Sequence, residues 1–138
     1  MFQFPKNTIS YWRESVDIGK YPAVDENMSF DVGIVGGGIT GITLAYLLSD
    51  YDISVCVIEA DQLLSGTTGN TTAKITTQHG LIYNELINQY GIEFAQQYYE
   101  ANKRALQFIN DTVIKHHIDC QLQEANAYLY SIESQNTE

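Results

Sequence analysis

The chain is poor in cysteine, proline, tryptophan and positive charge. Its 138 residues include two cysteines, two prolines and one tryptophan, and seven lysines and arginines stand against 17 aspartates and glutamates. Two cysteines do not make the disulfide framework of a small secreted domain, so we expect Cys56 and Cys120 to be buried free thiols in strands. The net charge of −10 argues against nucleic-acid binding, because a phosphate backbone requires a basic surface.

Long apolar runs are also missing from the sequence. The longest, residues 32–48, is shorter than the roughly 20 apolar residues that span a membrane, and glycines interrupt it. Residues 1–6 lack the charged and apolar regions of a signal peptide. His116 and His117 are neighbours on a predicted helix and point apart, so no metal site is predicted. We therefore expect a cytoplasmic protein without membrane contact.

Residues 31–59 carry the signature of one βαβ unit. An apolar segment precedes Gly36, Gly38 and Gly41, and apolar residues at helical spacing follow them. In a dinucleotide-binding fold the first glycine allows a tight turn and the second lets backbone amides approach the pyrophosphate. The third lets the helix lie close to the sheet. The amides that open this helix face the phosphates with the positive end of the helix dipole, so no lysine or arginine is required.

The second predicted strand ends at Glu59, about twenty residues after the glycines. A carboxylate at this position accepts hydrogen bonds from ribose hydroxyls and repels a 2′-phosphate, which disfavours NADP. Enzymes that use S-adenosylmethionine also have a glycine turn, but they usually carry an acid just before it, where this chain has Ile34 and Val35. A methyltransferase therefore remains the less favoured alternative. The predicted dinucleotide-binding residues of this unit are Gly36, Gly38, Ile39, Thr40, Gly41, Glu59 and Ala60.

The residues that follow Glu59 resemble the flavin loop of the glycine oxidase, D-amino-acid oxidase and sarcosine oxidase superfamily. In that superfamily a small-residue loop of the type Gly-Ala-Ser-Gly-x-Asn-Gly-Gly follows the second strand and wraps the flavin. Residues 66–69 and 71–73 take matching places in this loop. The resemblance implies FAD as the cofactor, bound in the loop by Gly66, Thr67, Thr68, Thr71, Thr72 and Ala73. Independently of the resemblance, the threonine hydroxyls of this loop can donate hydrogen bonds to a pyrophosphate or a flavin carbonyl. A solvated turn has a similar composition, so this alternative stays open.

Residues 10–15, 21–25 and 71–80 resemble more narrowly a bacterial branch of that superfamily. Its full-length members carry a Rieske [2Fe–2S] domain at the C-terminus. The resemblance implies oxidation of an amine or amino-acid-like C–N bond of a small molecule, with electrons passed to oxygen or to the cluster. A Rieske centre needs two cysteines and two histidines, which Cys56, Cys120 and the adjacent histidines do not provide, so the cluster is expected outside this chain.

Two further residues near the loop are candidates for the site. Lys74 is the single lysine or arginine between Lys20 and Lys103, and it is expected either to stabilise reduced flavin or to be an ordinary surface lysine. His79 is the candidate for acid–base catalysis, the alternative being a histidine that is hydrogen-bonded to backbone at a helix entry.

The predicted fold is α/β, with a Rossmann-like FAD-binding βαβ unit, and it is incomplete. We divide the chain into an N-terminal arm (1–30), the βαβ unit with the flavin loop (31–78), a helical segment (79–118) and the first strands of a truncated substrate domain (119–138). Gly91 is expected to cap a helix that ends at Tyr90, a longer helix follows to His116, and strands are expected at 121–124 and 127–132.

We expect the chain to be an N-terminal piece of a larger FAD-dependent oxidoreductase. Alone it should be inactive and should self-associate through unpaired strand edges or helix exchange. A non-catalytic nucleotide-binding fragment is the other alternative.

Overall fold

The computed structural model describes residues 9–130, and the chain divides into two compact units, residues 1–73 and 74–138. The first unit contains a helix, a strand, a second helix, a second strand and a 3₁₀ turn: α1 (Tyr11–Glu14), β1 (Val32–Val35), α2 (Ile39–Leu48), β2 (Val55–Ile58) and Thr68–Asn70. The second unit contains α3 (Ile82–Tyr90) and α4 (Ile92–Lys115). The predicted βαβ unit and the two helices after it are confirmed.

The two strands form a parallel sheet, in a register that pairs Val32 with Val55. Helix α2 packs on one face of this sheet, where Ile34 is buried. Successive side chains of a strand point to opposite faces of the sheet, so the residues next to Ile34 in the strand, and those paired with them, form the other face. It carries Gly33, Val35, Cys56 and Ile58. This face is open, since Val35 is 88% exposed.

Asp31 and Ser54 join the two strands where both begin. Oδ2 of Asp31 accepts hydrogen bonds from the Ser54 amide at 2.8 Å and the Ser54 hydroxyl at 2.6 Å. The Ser54 hydroxyl oxygen in turn accepts a hydrogen bond from the Asp31 amide at 2.9 Å. The side-chain bond and then the backbone bond to Ser54 lower the pKa of Asp31 below its usual value. The sheet is thereby fixed at this end by polar contacts.

Helices α3 and α4 form a hairpin that turns at Gly91. Its φ of 88° lies in the region that favours glycine, and its amide donates to the Ile87 carbonyl at 2.9 Å. The predicted helix C-cap is confirmed. The apolar residues of α4 are only partly buried: Ala95 is buried, but Phe94 is 45% exposed.

The strands expected after residue 118 do not form within the described residues. Residues 119–130 contain no strand, and residues 131 and 132 of the second expected strand lie outside the described part. A strand needs a partner to accept its hydrogen bonds, and the described residues of the second unit contain none. Polar and apolar residues alternate at 121–124 and 127–132, as is typical of strands, but this pattern alone is not sufficient to form them.

The two cysteines and the two adjacent histidines follow the sequence expectations only in part. Cys120, expected in a strand, is exposed, whereas Cys56 lies in β2, half-buried and free as predicted. His116 caps α4, and His117, expected on the helix, follows it with a left-handed φ of 51°. The backbone turns out of the helix at this point.

Between residues 9 and 130, no helix is both long enough and apolar enough to cross a membrane. The same stretch has no group of three histidine, cysteine, aspartate or glutamate side chains placed to hold a metal ion.

Candidate dinucleotide site

The glycine turn between β1 and α2 has the geometry that its spacing predicts. Gly36 has a φ of 103°, which other residues adopt only with strain, and its amide extends the sheet by donating to the Ile58 carbonyl at 2.8 Å. A Cβ on Gly41 would lie 2.0 Å from the Gly36 carbonyl oxygen. Only a residue without a side chain allows α2 to start so close to the strand.

Gly38 differs from these two glycines, because its backbone is one that any residue adopts, with φ −80° and ψ −173°. A Cβ here would meet the Thr68 hydroxyl oxygen at 3.4 Å, an ordinary contact. What Gly38 provides is therefore space in front of the helix rather than an unusual conformation.

The amide N–H groups at the start of α2 lack partners within the helix. Gly38 is the N-cap and has no side chain to accept from them. The cap comes instead from the 3₁₀ turn, where the Thr68 hydroxyl accepts a hydrogen bond from the Ile39 amide at 3.0 Å. The amides of Thr40 and Gly41 follow at the same end, which is the positive end of the helix dipole. Together these groups suit an anion such as a pyrophosphate.

Glu59 lies directly after β2 and binds the glycine turn. Its Oε2 accepts a hydrogen bond from the Gly37 amide at 2.6 Å, and its Oε1 accepts from the Ala60 and Asp61 amides at 2.9 and 3.2 Å. These bonds, with that from Gly37 the strongest, lower the pKa of Glu59 below its usual value. A carboxylate offers about four acceptor positions, so one on Oε2 remains for a ribose hydroxyl.

Residues 66–73, which we call the threonine loop, are closed by their own hydrogen bonds. The Asn70 side-chain amide donates to the Gly66 carbonyl at 2.8 Å and to the Ser65 carbonyl at 3.3 Å. At the other end, the Thr71 hydroxyl accepts from the Ala73 amide at 3.1 Å. The loop is therefore an ordered turn, and Asn70 is a residue of the site that sequence reasoning missed.

Two hydrogen bonds connect the threonine loop, and the residues just before it, to the glycine turn and helix α2. The Leu64 amide donates to the Gly37 carbonyl at 2.9 Å, and Thr68 caps α2. A Cβ on Gly37 would also lie 2.3 Å from the Leu63 side chain. The glycine turn and the segment after β2 are thus packed against each other.

The first unit therefore contains all but two of the predicted site residues. They are Gly36, Gly38, Ile39, Thr40, Gly41, Glu59, Ala60, Gly66, Thr67, Thr68, Thr71, Thr72 and Ala73. Hydrogen bonds join the three segments to which they belong: the glycine turn with its helix, the end of β2, and the threonine loop. Lys74 and His79 belong to the second unit.

His79 is exposed and lies in a small aromatic cluster of the second unit. Its Nδ1 is 3.0 Å from the Tyr98 hydroxyl, with the donor set by the histidine tautomer. The expected alternative, a bond to backbone, is not what the structure has. Tyr83 packs edge-on against Tyr98 and donates its hydroxyl hydrogen to the Thr77 carbonyl. Burial, and to a lesser extent the two neighbouring tyrosines, raises the pKa of Tyr83.

A separate cleft of about 470 Å³ lies within the second unit. Its walls are formed by residues 75–78, one side of α4, residues 122–125 and residue 127. Its polar groups include the side chains of Gln78, Asn110 and Glu124.

A family model described as FAD dependent oxidoreductase matches residues 31–137, which is most of the chain. The chain belongs to this family of flavoproteins. The match begins at Asp31, immediately before β1, and includes the glycine turn, Glu59 and the threonine loop. The predicted superfamily is therefore confirmed, and with it FAD as the cofactor of the family and the partial Rossmann-like fold.

Curated relatives agree with this membership. The chain is 49% identical over 122 residues to the putative Rieske 2Fe-2S iron-sulfur protein YhfW of Bacillus subtilis, covering 88% of this chain and 24% of the relative. It is 22% identical over 125 residues to the gamma-glutamylputrescine oxidoreductase of Escherichia coli, covering 90% and 29%.

A shorter likeness, 41% identity over 44 residues, relates it to the flavin-containing amine oxidase A of Bos taurus, covering 32% and 8%. The chain spans about a quarter of the length of the first two relatives. No solved structure matches it significantly.

Proposed function

We propose that this chain is the FAD-binding portion of an oxidoreductase that oxidises an amine or amino-acid-like C–N bond. The carrying observation is the start of α2, where Gly36 and Gly41 bring the helix onto the strand and Gly38 keeps the space in front of it open. The backbone amides and the positive dipole end of α2 suit the pyrophosphate, and Glu59 retains an acceptor position for the ribose. The residues present therefore fit the dinucleotide part of FAD.

Each segment of the site has a role in this proposal. The glycine turn with Ile39 and Thr40 would hold the pyrophosphate, Glu59 with Ala60 would hold the ribose, and the threonine loop would contact the flavin. Lys74, the next residue in the sequence, is the proposed cation for the reduced flavin. When bound, FAD supplies the chemistry, since it accepts the hydride of the C–H bond next to the substrate nitrogen. The chain orients the cofactor, and His79, which contacts the Tyr98 hydroxyl, is the candidate for moving a proton.

The activities for which the relatives are named support the substrate class and the electron acceptor. One is a gamma-glutamylputrescine oxidoreductase and another a flavin-containing amine oxidase, which favours a small amine as substrate. The name of the Bacillus relative favours a [2Fe–2S] cluster as electron acceptor in the full-length protein, with oxygen as the other acceptor. The described residues of this chain do not fit such a cluster, so it would be held by further sequence.

The proposal includes a cytoplasmic location and no binding to nucleic acid or membrane. Its support is the two free cysteines and the net charge of −10. Cell fractionation checks the location: activity recovered in an extracellular or periplasmic fraction would contradict it. The methyltransferase alternative loses its support, because the family to which the chain belongs uses FAD.

The test is Gly38→Val in the full-length protein. Valine suits the backbone of residue 38 but fills the space beside the Thr68 hydroxyl and the Ile39 amide. We expect the variant to fold and to lose bound flavin, measured as visible absorbance per protein after gel filtration. Gly19→Val is the matched control, because a side chain at this exposed arm position meets no atom within 4 Å. Equal flavin content in Gly38→Val and the control would reject the site.

A further inference from the structure

The described part of the N-terminal arm, residues 9–30, lies outside the matched family region yet contacts the proposed flavin site. Its short helix α1 packs against the 3₁₀ turn of the threonine loop. The Trp12 indole N–H donates to the Thr71 carbonyl at 2.7 Å across 59 residues of chain. This short hydrogen bond fixes the far end of the loop from outside.

Arg13 supplies a second contact between the arm and the loop. The methylene carbons Cγ and Cδ of Arg13 lie 2.9 and 3.1 Å from the point where a Cβ of Gly69 would stand. Gly69 is buried beneath them, and on its other side the Leu64 carbonyl oxygen lies 2.3 Å from the same point. The arm therefore covers the centre of the 3₁₀ turn, and no larger residue than glycine fits there.

The same 3₁₀ turn carries the group that reaches the dinucleotide helix. Thr68 immediately precedes Gly69, and its hydroxyl contacts the Ile39 amide. A loop held at Gly69 and Thr71 has few alternative positions for Thr68. The contacts thus run from the arm through the turn to the start of α2, all within the first unit.

We propose that Trp12 and Arg13 are positioning residues for FAD: they hold the threonine loop in its binding conformation, through the indole bond and the packing on Gly69. The proposal rests on the proposed FAD site. A loop that is ordered before binding loses less conformational entropy when the cofactor arrives, which strengthens binding without any contact between the arm and the cofactor.

The experiment uses Trp12→Phe in the full-length protein, stripped of flavin and titrated with FAD. Phenylalanine keeps an aromatic ring but removes the N–H donor. A hydrogen bond of ordinary net strength corresponds to about 2- to 12-fold in an equilibrium constant, so we expect the dissociation constant to rise by up to about tenfold. Tyr21→Phe is the control, because Tyr21 is an arm aromatic that is 73% exposed.

Hydrogen exchange of the apoprotein distinguishes positioning from general destabilisation. We expect faster exchange in residues 65–73 of Trp12→Phe and unchanged exchange in β1 and β2. Arg13→Ala should act in the same direction, whereas Lys20→Ala, which removes the same charge from an exposed position of the arm, should not.

Three results would overturn the proposal. An unchanged dissociation constant in both Trp12→Phe and Arg13→Ala would show that the arm does not position the loop, while the FAD site itself would stand. Faster exchange throughout the sheet would show that the arm acts on stability alone. If the unaltered full-length protein bound no FAD, the proposed function would fail, and this proposal with it.

Discussion

At the scale of single residues, two acids hold the two ends of the parallel sheet. Asp31 clasps Ser54 where the strands begin, and Glu59 binds the glycine turn where they end. Sequence reasoning assigned Glu59 to the ribose and did not foresee its bond to Gly37. Which amide a carboxylate reaches depends on the folded turn, and no spacing rule specifies it.

This role of Glu59 predicts a pH dependence of stability. The pKa of Glu59 in the folded protein lies below its ordinary value of 4.5. Its stabilising contribution is therefore complete above that value and is lost as the pH falls through the lowered folded pKa. We expect Glu59→Gln to lower the free energy of unfolding more at pH 7 than at about pH 4, measured in denaturant.

The free energy of unfolding of Glu59→Gln should itself still fall as the pH is lowered, because Asp31 also has a lowered pKa. The exposed Glu26→Gln serves as the control. An equal loss of stability at both pH values would contradict a charged, amide-bound Glu59.

At the scale of elements, local pattern was sufficient for some parts of the fold and not for others. The β1–α2–β2 unit and the Gly91 turn were predictable, because periodicity and glycine positions act over a few residues. The cap on α2 was not, since its donor and acceptor are 29 residues apart. The strands expected after residue 118 do not form in the described residues, for the opposite reason: the alternating pattern is local, but a strand depends on a distant partner.

The remote cap yields a prediction for Thr68. Thr68→Val keeps the shape of the side chain and removes the acceptor for the Ile39 amide. Loss of an N-cap costs about 1 kcal/mol, which we expect to see in the unfolding free energy of the apoprotein. Thr67→Val is the matched control, because the Thr67 hydroxyl makes no capping bond. Equal stability of the two variants would show that α2 does not depend on this cap.

At the scale of the whole molecule, the described residues bury little apolar surface. Ile34 and Ala95 are their buried hydrophobic residues. Helix α2 has no charged residue in its first or last turn, yet Leu44 and Leu47 on it are more than two-fifths exposed. A helix that is apolar on all sides is normally buried in a larger structure. These surfaces favour further covering elements or association.

We therefore expect the 138-residue chain, produced alone, to self-associate and to lack oxidase activity. Light scattering at increasing concentration tests the association, which salt should strengthen by screening the net charge of −10. Val35→Lys places a charge on the open face of the sheet and should weaken association there. A chain that stays monomeric at every concentration would contradict the prediction.

The bond between Trp12 and Thr71 has a consequence for synthesis on the ribosome. The indole is made 59 residues before its acceptor, and at about 5–20 residues per second this is an interval of roughly 3–12 seconds. During that time the nascent arm presents two neighbouring aromatic side chains, Tyr11 and Trp12, with no loop to receive them. The arm leaves the ribosome before the strands and the threonine loop of its unit, yet it is among the last parts of that unit to dock. Until then it is open to chaperones and proteases.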